Sequence, residues 1–361
     1  MAQLTHLLSP IRIGPRELRN RVICTGHNPH FDVGGLIGDQ QIAFHVQKAK
    51  GGIALSTTGA TSVHPSGGML PLAPLVNFDD GVIPGYRRLA DQMHAAGALM
   101  MVQLGHASSA IGSHHSGSPM WAPSPTVGEY GREVPHVMTS AEIEEVVHAF
   151  FQASARVATA GLDGVELNLF AGGVAQQFLS PITNSRTDDY GGSPEKRLRF
   201  LIEMIRGCRQ AIGEDRLLAL KIAGDELYEA GLHLSDMQQI VRRIDEQVRV
   251  DYYVVASGNN LDHFARIDHW PPTPAPHGLH VNLASGIREF TERPVAALCR
   301  IVDPFMAEDL LRRGACDLIA IVRATFADPD WVNKAAAGHA DEIRPCVGAN
   351  SGCIDRIAIG E

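Results

Sequence analysis

Eight short runs of strand-forming residues, spaced along the chain with amphipathic stretches between them, constrain the fold more than any other feature. The runs fall at 22–25, 53–57, 99–104, 164–169, 217–222, 252–256, 295–298 and 318–322. Most are continuously apolar, the pattern of parallel strands covered on both faces. The stretches between them include 83–96, 140–160, 193–212, 235–248 and 303–313. Ser140 and Ser235 stand where a hydroxyl would cap orphan amides, and Gly97, Gly161, Gly213 and Gly314 stand where helices close. Strand and helix alternating eight times predict an α/β fold, a single (β/α)8 TIM barrel, with a doubly wound open sheet as its competitor. No strand is followed by G-x-G-x-x-G, so the fingerprint that would favour the open sheet is missing. Two long connections interrupt the rhythm: 107–139 after strand 3 and 258–280 after strand 6. Loops at the C-terminal ends of barrel strands are where this architecture keeps its substrate sites.

Size and charge agree with a barrel enzyme. At 361 residues the chain is long for one domain but ordinary for an α/β barrel. The net charge of -9 argues against nucleic acid or an anionic membrane surface as the main partner. No apolar run approaches the roughly 20 residues that a membrane span needs. The first residues, Met-Ala-Gln-Leu-Thr-His, lack the basic head and apolar stretch of a signal peptide. Cys24, Cys208, Cys299 and Cys316 are scattered in apolar surroundings, as reduced thiols of a cytoplasmic protein would be. A small-molecule substrate is expected; a homo-oligomer or an electron-transfer partner stays open.

The most specific segment is 177–200, Gln-Phe-Leu-Ser-Pro-Ile-Thr-Asn-Ser-Arg-Thr-Asp-Asp-Tyr-Gly-Gly-Ser-Pro-Glu-Lys-Arg-Leu-Arg-Phe. It resembles the old yellow enzyme family (NADH:flavin oxidoreductases). Within that family it resembles the barrel domains of 2,4-dienoyl-CoA reductase and trimethylamine dehydrogenase, and related N-methyl amino acid demethylases. Further echoes are Leu8-Ser-Pro-Ile-Arg-Ile-Gly and Leu18-Arg-Asn-Arg-Val22, similar to an opening hairpin and first strand. Others are Val102-Gln-Leu-Gly-His106, Ala327-Asp-Pro329 and Ile343-Arg-Pro-Cys346. The resemblance covers about the whole chain. It implies a barrel over 1–340 and a tail over 341–361, with FMN as cofactor and NAD(P)H as an available electron donor.

The residues fit that implication. By resemblance, Arg323 at the end of strand 8 is the phosphate arginine, able to make forked, charge-assisted bonds. Cys299 and Arg300 at the end of strand 7 share that region, with cysteine where the family carries glycine. Lys221 ends strand 5 where the family has arginine, and would place a positive charge at the N1/O2 edge of the flavin. A charge in an apolar strand run is costly unless paired, which favours a functional reading. Gln103 resembles the glutamine on the pyrimidine edge, and Thr25, Gly26, Gly59 and Ala60 match positions framing the ring.

The substrate face departs from the family. Ene-reducing relatives carry paired donors after strand 4 and a tyrosine that supplies a proton; here Asn168, Ala171 and Gly173 stand at those positions. Asn168 keeps one donor. His106 and His263 are the histidines available as substitutes, and Arg266 could bind a substrate carboxylate. The expected reaction is therefore hydride removal from an N-methylated amine or amino acid, with ene-reduction of activated alkenes or a noncatalytic FMN-binding electron-transfer subunit as alternatives. Thr25-Gly-His-Asn28 has no cysteine for covalent attachment, so FMN is expected to be noncovalent. Cys346 and Cys353 resemble the start of an iron–sulfur segment that has lost ligands, with Ala349 at the second position, and no cluster is expected. The pairs His114-His115 and His277/His280 lack companions at ligand spacing, so no metal is expected.

Overall fold

The computed structural model describes residues 4–68, 75–110, 112–113, 117–128, 132–261, 263–353 and 355. Eight parallel strands close on themselves: β1 (Val22–His27), β2 (Leu55–Thr58), β3 (Leu99–Gly105), β4 (Gly164–Leu169), β5 (Leu217–Ala223), β6 (Tyr252–Ala256), β7 (Val295–Ala297) and β8 (Leu318–Ala320). Each pairs with the next, and β8 pairs with β1 through Ile319–Val22 and Ala320–Ile23, so no edge is left open. The fold is a (β/α)8 barrel. Strand 2 begins at Leu55 rather than 53, and strands 7 and 8 end at Ala297 and Ala320.

Around the barrel lie α1 (Asp39–Lys50), α2 (Ile83–Ala95), α3 (Ser140–Thr159), α4 (Pro194–Ile212), α5 (Leu234–Gln247), α6 (Val281–Arg288), α7 (Pro304–Arg312) and α8 (Trp331–Ala336). Gly97, Gly161, Gly213 and Gly314 all adopt positive φ just past helix ends, as their placement predicted. The caps differ from expectation. Thr139, not Ser140, caps α3, forming a reciprocal capping box with Glu142 worth about 1 kcal/mol. At α5 the Asp236 carboxylate accepts from the His233 N–H at 3.0 Å, and Ser235 lies one residue inside the helix.

The strands separate two apolar regions. Outward-facing Val22, Val102, Leu104, Val165, Leu218, Leu220, Tyr253 and Val255 pack under the helices. Inward-facing Ile23, Leu55, Met101, Ala219, Tyr252, Val254 and Leu318 fill the lower barrel. The hairpin formed by Ile11–Ile13 and Arg16–Leu18 closes the N-terminal end by adding Ile13 and Leu18 to that inner cluster. Strand alternation then puts Thr25, Gln103, Glu166 and Lys221 one layer higher, so the barrel interior changes from apolar to polar at its C-terminal mouth.

The segment 177–200 is architectural. Asn184 Nδ2 donates to the carbonyls of Phe178 (2.7 Å) and Tyr190 (2.8 Å), and Arg186 reaches Pro123 O and Met138 O in the loop after β3. Phe178 stacks on Phe200 at 4.2 Å, both fully buried, a pair worth about 1 kcal/mol beyond its area. The segment therefore ties the β4 loop to the β3 loop and to α4, and holds the mouth in shape.

Candidate functional site

At the mouth, a buried carboxylate organises the polar layer. Glu166 on β4 is fully buried; Gln103 Nε2 donates to its Oε1 at 2.6 Å, and Thr25 Oγ1 lies 3.2 Å from both oxygens. Burial pushes the Glu166 carboxyl up, and Lys221 and these donors oppose the rise. Lys221 Nζ lies 3.4 Å from the Gly26 carbonyl and 5.3 Å from the centre of the Phe170 ring. Burial lowers its pKa, against the Coulomb attraction of Glu166. Four strands thus bring Thr25, Gly26, Gln103 and Lys221 together, with Glu166 among them. Glycine at 26 is required by that closeness: a Cβ there would sit 2.5 Å from Gln103 Nε2 and 2.9 Å from the Thr58 carbonyl. At Gly59 it would collide with the Asn28 side chain.

The ends of β7 and β8 form a second cluster. Arg323 opens the one-turn helix Arg323–Ala327, and its Nη1 donates to Pro271 O (3.0 Å) and Asn350 Oδ1 (2.9 Å). Cys299 (φ 83°) and Arg300 (φ 54°) both occupy the left-handed region that favours glycine. Burial pushes the Cys299 thiol up to about 12, so it stays protonated. Arg300 donates from both Nη atoms to Thr273 Oγ1, while its buried Nε has no hydrogen-bond partner among the described residues. The tail packs here as well: Thr273 N–H donates to Gly348 O, and Asn350 Nδ2 to Trp270 O.

Above the mouth lies the loop after β6. It contains the short helix His263–Ile267, which carries His263 and Arg266. Beyond it, His269 packs on Phe170 with ring centres 4.4 Å apart, and Trp270 lies 5.1 Å from His269. His269 is buried and neutral, with its pKa lowered by burial to about 3. Asn260 Nδ2 donates to Ala171 O. Asn168 uses its Oδ1 to accept the Phe170 N–H at 3.1 Å, which leaves its amide N–H groups for a ligand.

His27 and His106 are occupied elsewhere. His106 Nδ1 accepts the Ser108 N–H (3.1 Å), so its Nε2–H donates to Ser66 Oγ (3.1 Å), and burial holds its pKa near 3. It is a packed, neutral histidine rather than a proton carrier. His27 turns outward: its Nδ1 donates to Thr25 O, and its Nε2 accepts from Lys48 on α1 at 2.7 Å. His280 likewise bonds Ser257 Oγ at 2.7 Å. Among the described residues no group of histidine, cysteine and carboxylate side chains is arranged to hold a metal, and His114-His115 lie outside them.

Sequence reasoning missed Glu166. It lies in the quoted run Val165-Glu-Leu-Asn168, and the rule applied to Lys221, that a charge inside an apolar strand needs a reason, applies to it equally. Glu226, a second buried carboxylate held by Ser180, Gln176 and the Leu232 N–H, escaped because it lies in a loop.

The NADH:flavin oxidoreductase / NADH oxidase family matches residues 6–342. A metal reductase of Desulforamulus reducens is 37% identical over 351 residues, covering 97% of this chain and 52% of that protein. An N,N-dimethylglycine/sarcosine dehydrogenase of Chromohalobacter salexigens is 35% identical, covering 97% of this chain and 51% of that protein. The solved structure of a 2-naphthoyl-CoA reductase complex superposes with a TM-score of 0.92 at 26% identity, over 99% of this chain and 56% of that one. The chain spans about half the length of these relatives.

Proposed function

The chain belongs to the NADH:flavin oxidoreductase / NADH oxidase family, and from that membership we propose that it is an FMN-dependent oxidoreductase acting on N-methylated amines or amino acids. The family implies a flavin. The residues present fit FMN: a buried cation, Lys221, stands at the mouth beside Gly26, whose lack of a side chain lets Gln103 pack close, and Arg323 stands at the end of β8 for a phosphate. Gln103, Lys221, Thr25, Gly26, Gly59 and Ala60 would hold the ring, and Arg323, Arg300 and the backbone at Cys299 the phosphate, with no covalent link. When bound, the flavin supplies two-electron hydride chemistry.

The single observation that carries the substrate reading is the rebuilt face after β4. Asn168 has its Oδ1 engaged by the Phe170 N–H, and Ala171 and Gly173 have no side-chain donor. The Asn168 amide N–H groups are the one side-chain donor left at these three positions, so the face lacks the paired clamp for a developing enolate and a side chain to supply its proton. Hydride removal beside nitrogen needs only that the amine be unprotonated and oriented. Phe170, His269 and Trp270 supply an apolar wall of low dielectric, and the Lys221 cation beneath Phe170 disfavours an ammonium there. His269 stays neutral at pH 7, so it adds no charge to that wall. Arg266 on the β6 loop is the residue assigned to a substrate carboxylate. The dehydrogenase of Chromohalobacter salexigens, named for N-methylated amino acids, supports the same class.

The purified protein is expected to be yellow and to release FMN on denaturation. Anaerobic mixing with N-methylated amino acids should bleach it faster than NAD(P)H does. Rapid NAD(P)H-driven turnover of enones would sink the demethylase reading, and a flavin bleached by neither class would leave a noncatalytic flavoprotein.

A further inference from the structure

We infer that Glu166 is a positioning residue for the flavin: it fixes which end of the Gln103 carboxamide faces the mouth, and it offsets the charge of Lys221. The inference rests on the FMN reading above. Lys221 and the Gln103, Thr25 and Gly26 donors favour the ionised form of Glu166 against its burial, and an ionised carboxylate only accepts hydrogen bonds, so the end of Gln103 that meets Glu166 Oε1 at 2.6 Å is the amino end. The Gln103 oxygen is then left to accept, the role that the N3–H of a pyrimidine edge requires. Without Glu166 the amide would be free to turn over and would offer the wrong group.

The same carboxylate answers a charge problem. Lys221 and Glu166 are both buried in the mouth layer of the barrel, where an isolated ion is costly. No side-chain pair there lies within ion-pair contact among the described residues, so the two act through the field rather than through a bond. The remaining neighbours of Glu166 are neutral: the Thr25 hydroxyl, the Gln103 amide, the Gly26 N–H and the Tyr252 phenol, whose pKa burial raises far above neutrality. Lys221 draws electrons toward the ring and Glu166 resists, so the pair sets how readily the bound cofactor is reduced. A barrel layer built only for stability would carry an apolar residue at 166, as the layer below does.

Two variants of the FMN-loaded protein separate charge from reach. Glu166→Gln keeps the shape and removes the negative charge. The equilibrium should shift about tenfold or more toward reduced flavin, which for a two-electron couple raises the midpoint potential by about 30 mV. Glu166→Asp keeps the charge and withdraws it from Gln103. FMN affinity should fall about tenfold, the order of one hydrogen bond to a charged group, with the equilibrium inside about threefold of the parent. A Glu166→Gln potential unchanged or moved downward overturns the charge role, and an unchanged FMN affinity in Glu166→Asp overturns the positioning role. Should Glu166→Gln not fold, the Glu166→Asp affinity decides alone. A parent protein that binds no flavin would instead refute the proposed function.

Discussion

The close packing at Gly26 predicts a specific failure on adding one methyl group. In Gly26→Ala the new Cβ would sit 2.5 Å from Gln103 Nε2, 2.6 Å from Gln103 Cδ and 2.9 Å from the Thr58 carbonyl. The carbonyl belongs to the β2 backbone, so the glutamine must give way. Gln103 Nε2 is also the atom bonded to Glu166, and displacing it forfeits a hydrogen bond to a charged group, about 1.5–3 kcal/mol. Forcing a methyl into a closed layer adds about 1–3 kcal/mol. The stiffer unfolded chain of the alanine variant returns less than about 1 kcal/mol. The net loss is about 2–5 kcal/mol. Unfolding entropy of about 2.1 cal/mol/K per residue, over 361 residues, converts this to a fall in Tm of about 3–7 °C. Differential scanning calorimetry of the protein without added flavin measures it, and an FMN titration should show weaker binding in parallel. Because the damage passes through Gln103, the same change made in a Gln103→Ala background should cost about half as much. A Gly26→Ala protein that melts within about 1 °C of the parent, with FMN affinity intact, would refute the reasoning.

Other perturbations follow from the same geometry. Arg323→Met should weaken FMN binding about 10- to 150-fold while leaving riboflavin affinity nearly unchanged, since only FMN carries the phosphate; equal losses for the two ligands would show that Arg323 holds something else. Cys299→Gly should preserve stability or raise it by about 1 kcal/mol, because glycine relieves a left-handed backbone, whereas Cys299→Ala should lose about 1 kcal/mol by discarding the buried sulfur and keeping the strain; chemical denaturation distinguishes the signs. His106 and His269 are held near pKa 3 and His280 near 4, below the ordinary value of about 6.5. The folded state therefore binds fewer protons than the unfolded chain, and the stabilisation is complete above pH about 6.5 and lost as the pH falls toward 4. Each of the three contributes up to about 1.4 kcal/mol per pH unit over that window, and a Tm that stays flat from pH 7 to 4.5 would contradict the assignment.

Much of the architecture could be read from residue order because the barrel strands are covered on both faces and stand out as apolar runs. Helix α1 could not. It turns Gln41, His45 and Lys48 toward the barrel, where His45 meets Ser56 and Lys48 meets His27, so no apolar stripe marks it. Helix α6 is short and carries Gly286 against Leu234, which hides its period. The mouth residues Lys221, Gln103, Thr25 and Gly26 were identified through resemblance, and the structure brings them within a few residues' reach of one another. What resemblance did not supply was the partner that joins them, since Glu166 has meaning only once β1, β3, β4 and β5 are placed side by side. His106 shows the opposite error: a histidine at the end of a barrel strand reads as chemistry until both ring nitrogens are seen to be committed.

Arg323 makes both of its hydrogen bonds through a single nitrogen. Nη1 joins the Pro271 carbonyl of the β6 loop to the Asn350 carboxamide of the tail, and among the described residues Nη2 and Nε make none. A guanidinium is planar, with donors on separate edges. One edge of this side chain rivets two segments of the protein together while the other is left to an arriving anion. A phosphate taking that second edge need not break the rivet, and the tail stays fastened whether or not the anion is there. Pulling the tail away leaves Nη1 only the Pro271 carbonyl and loosens the plane, so a substitution at Asn350, far along the chain from any strand of the barrel, would be felt at the edge proposed for the phosphate.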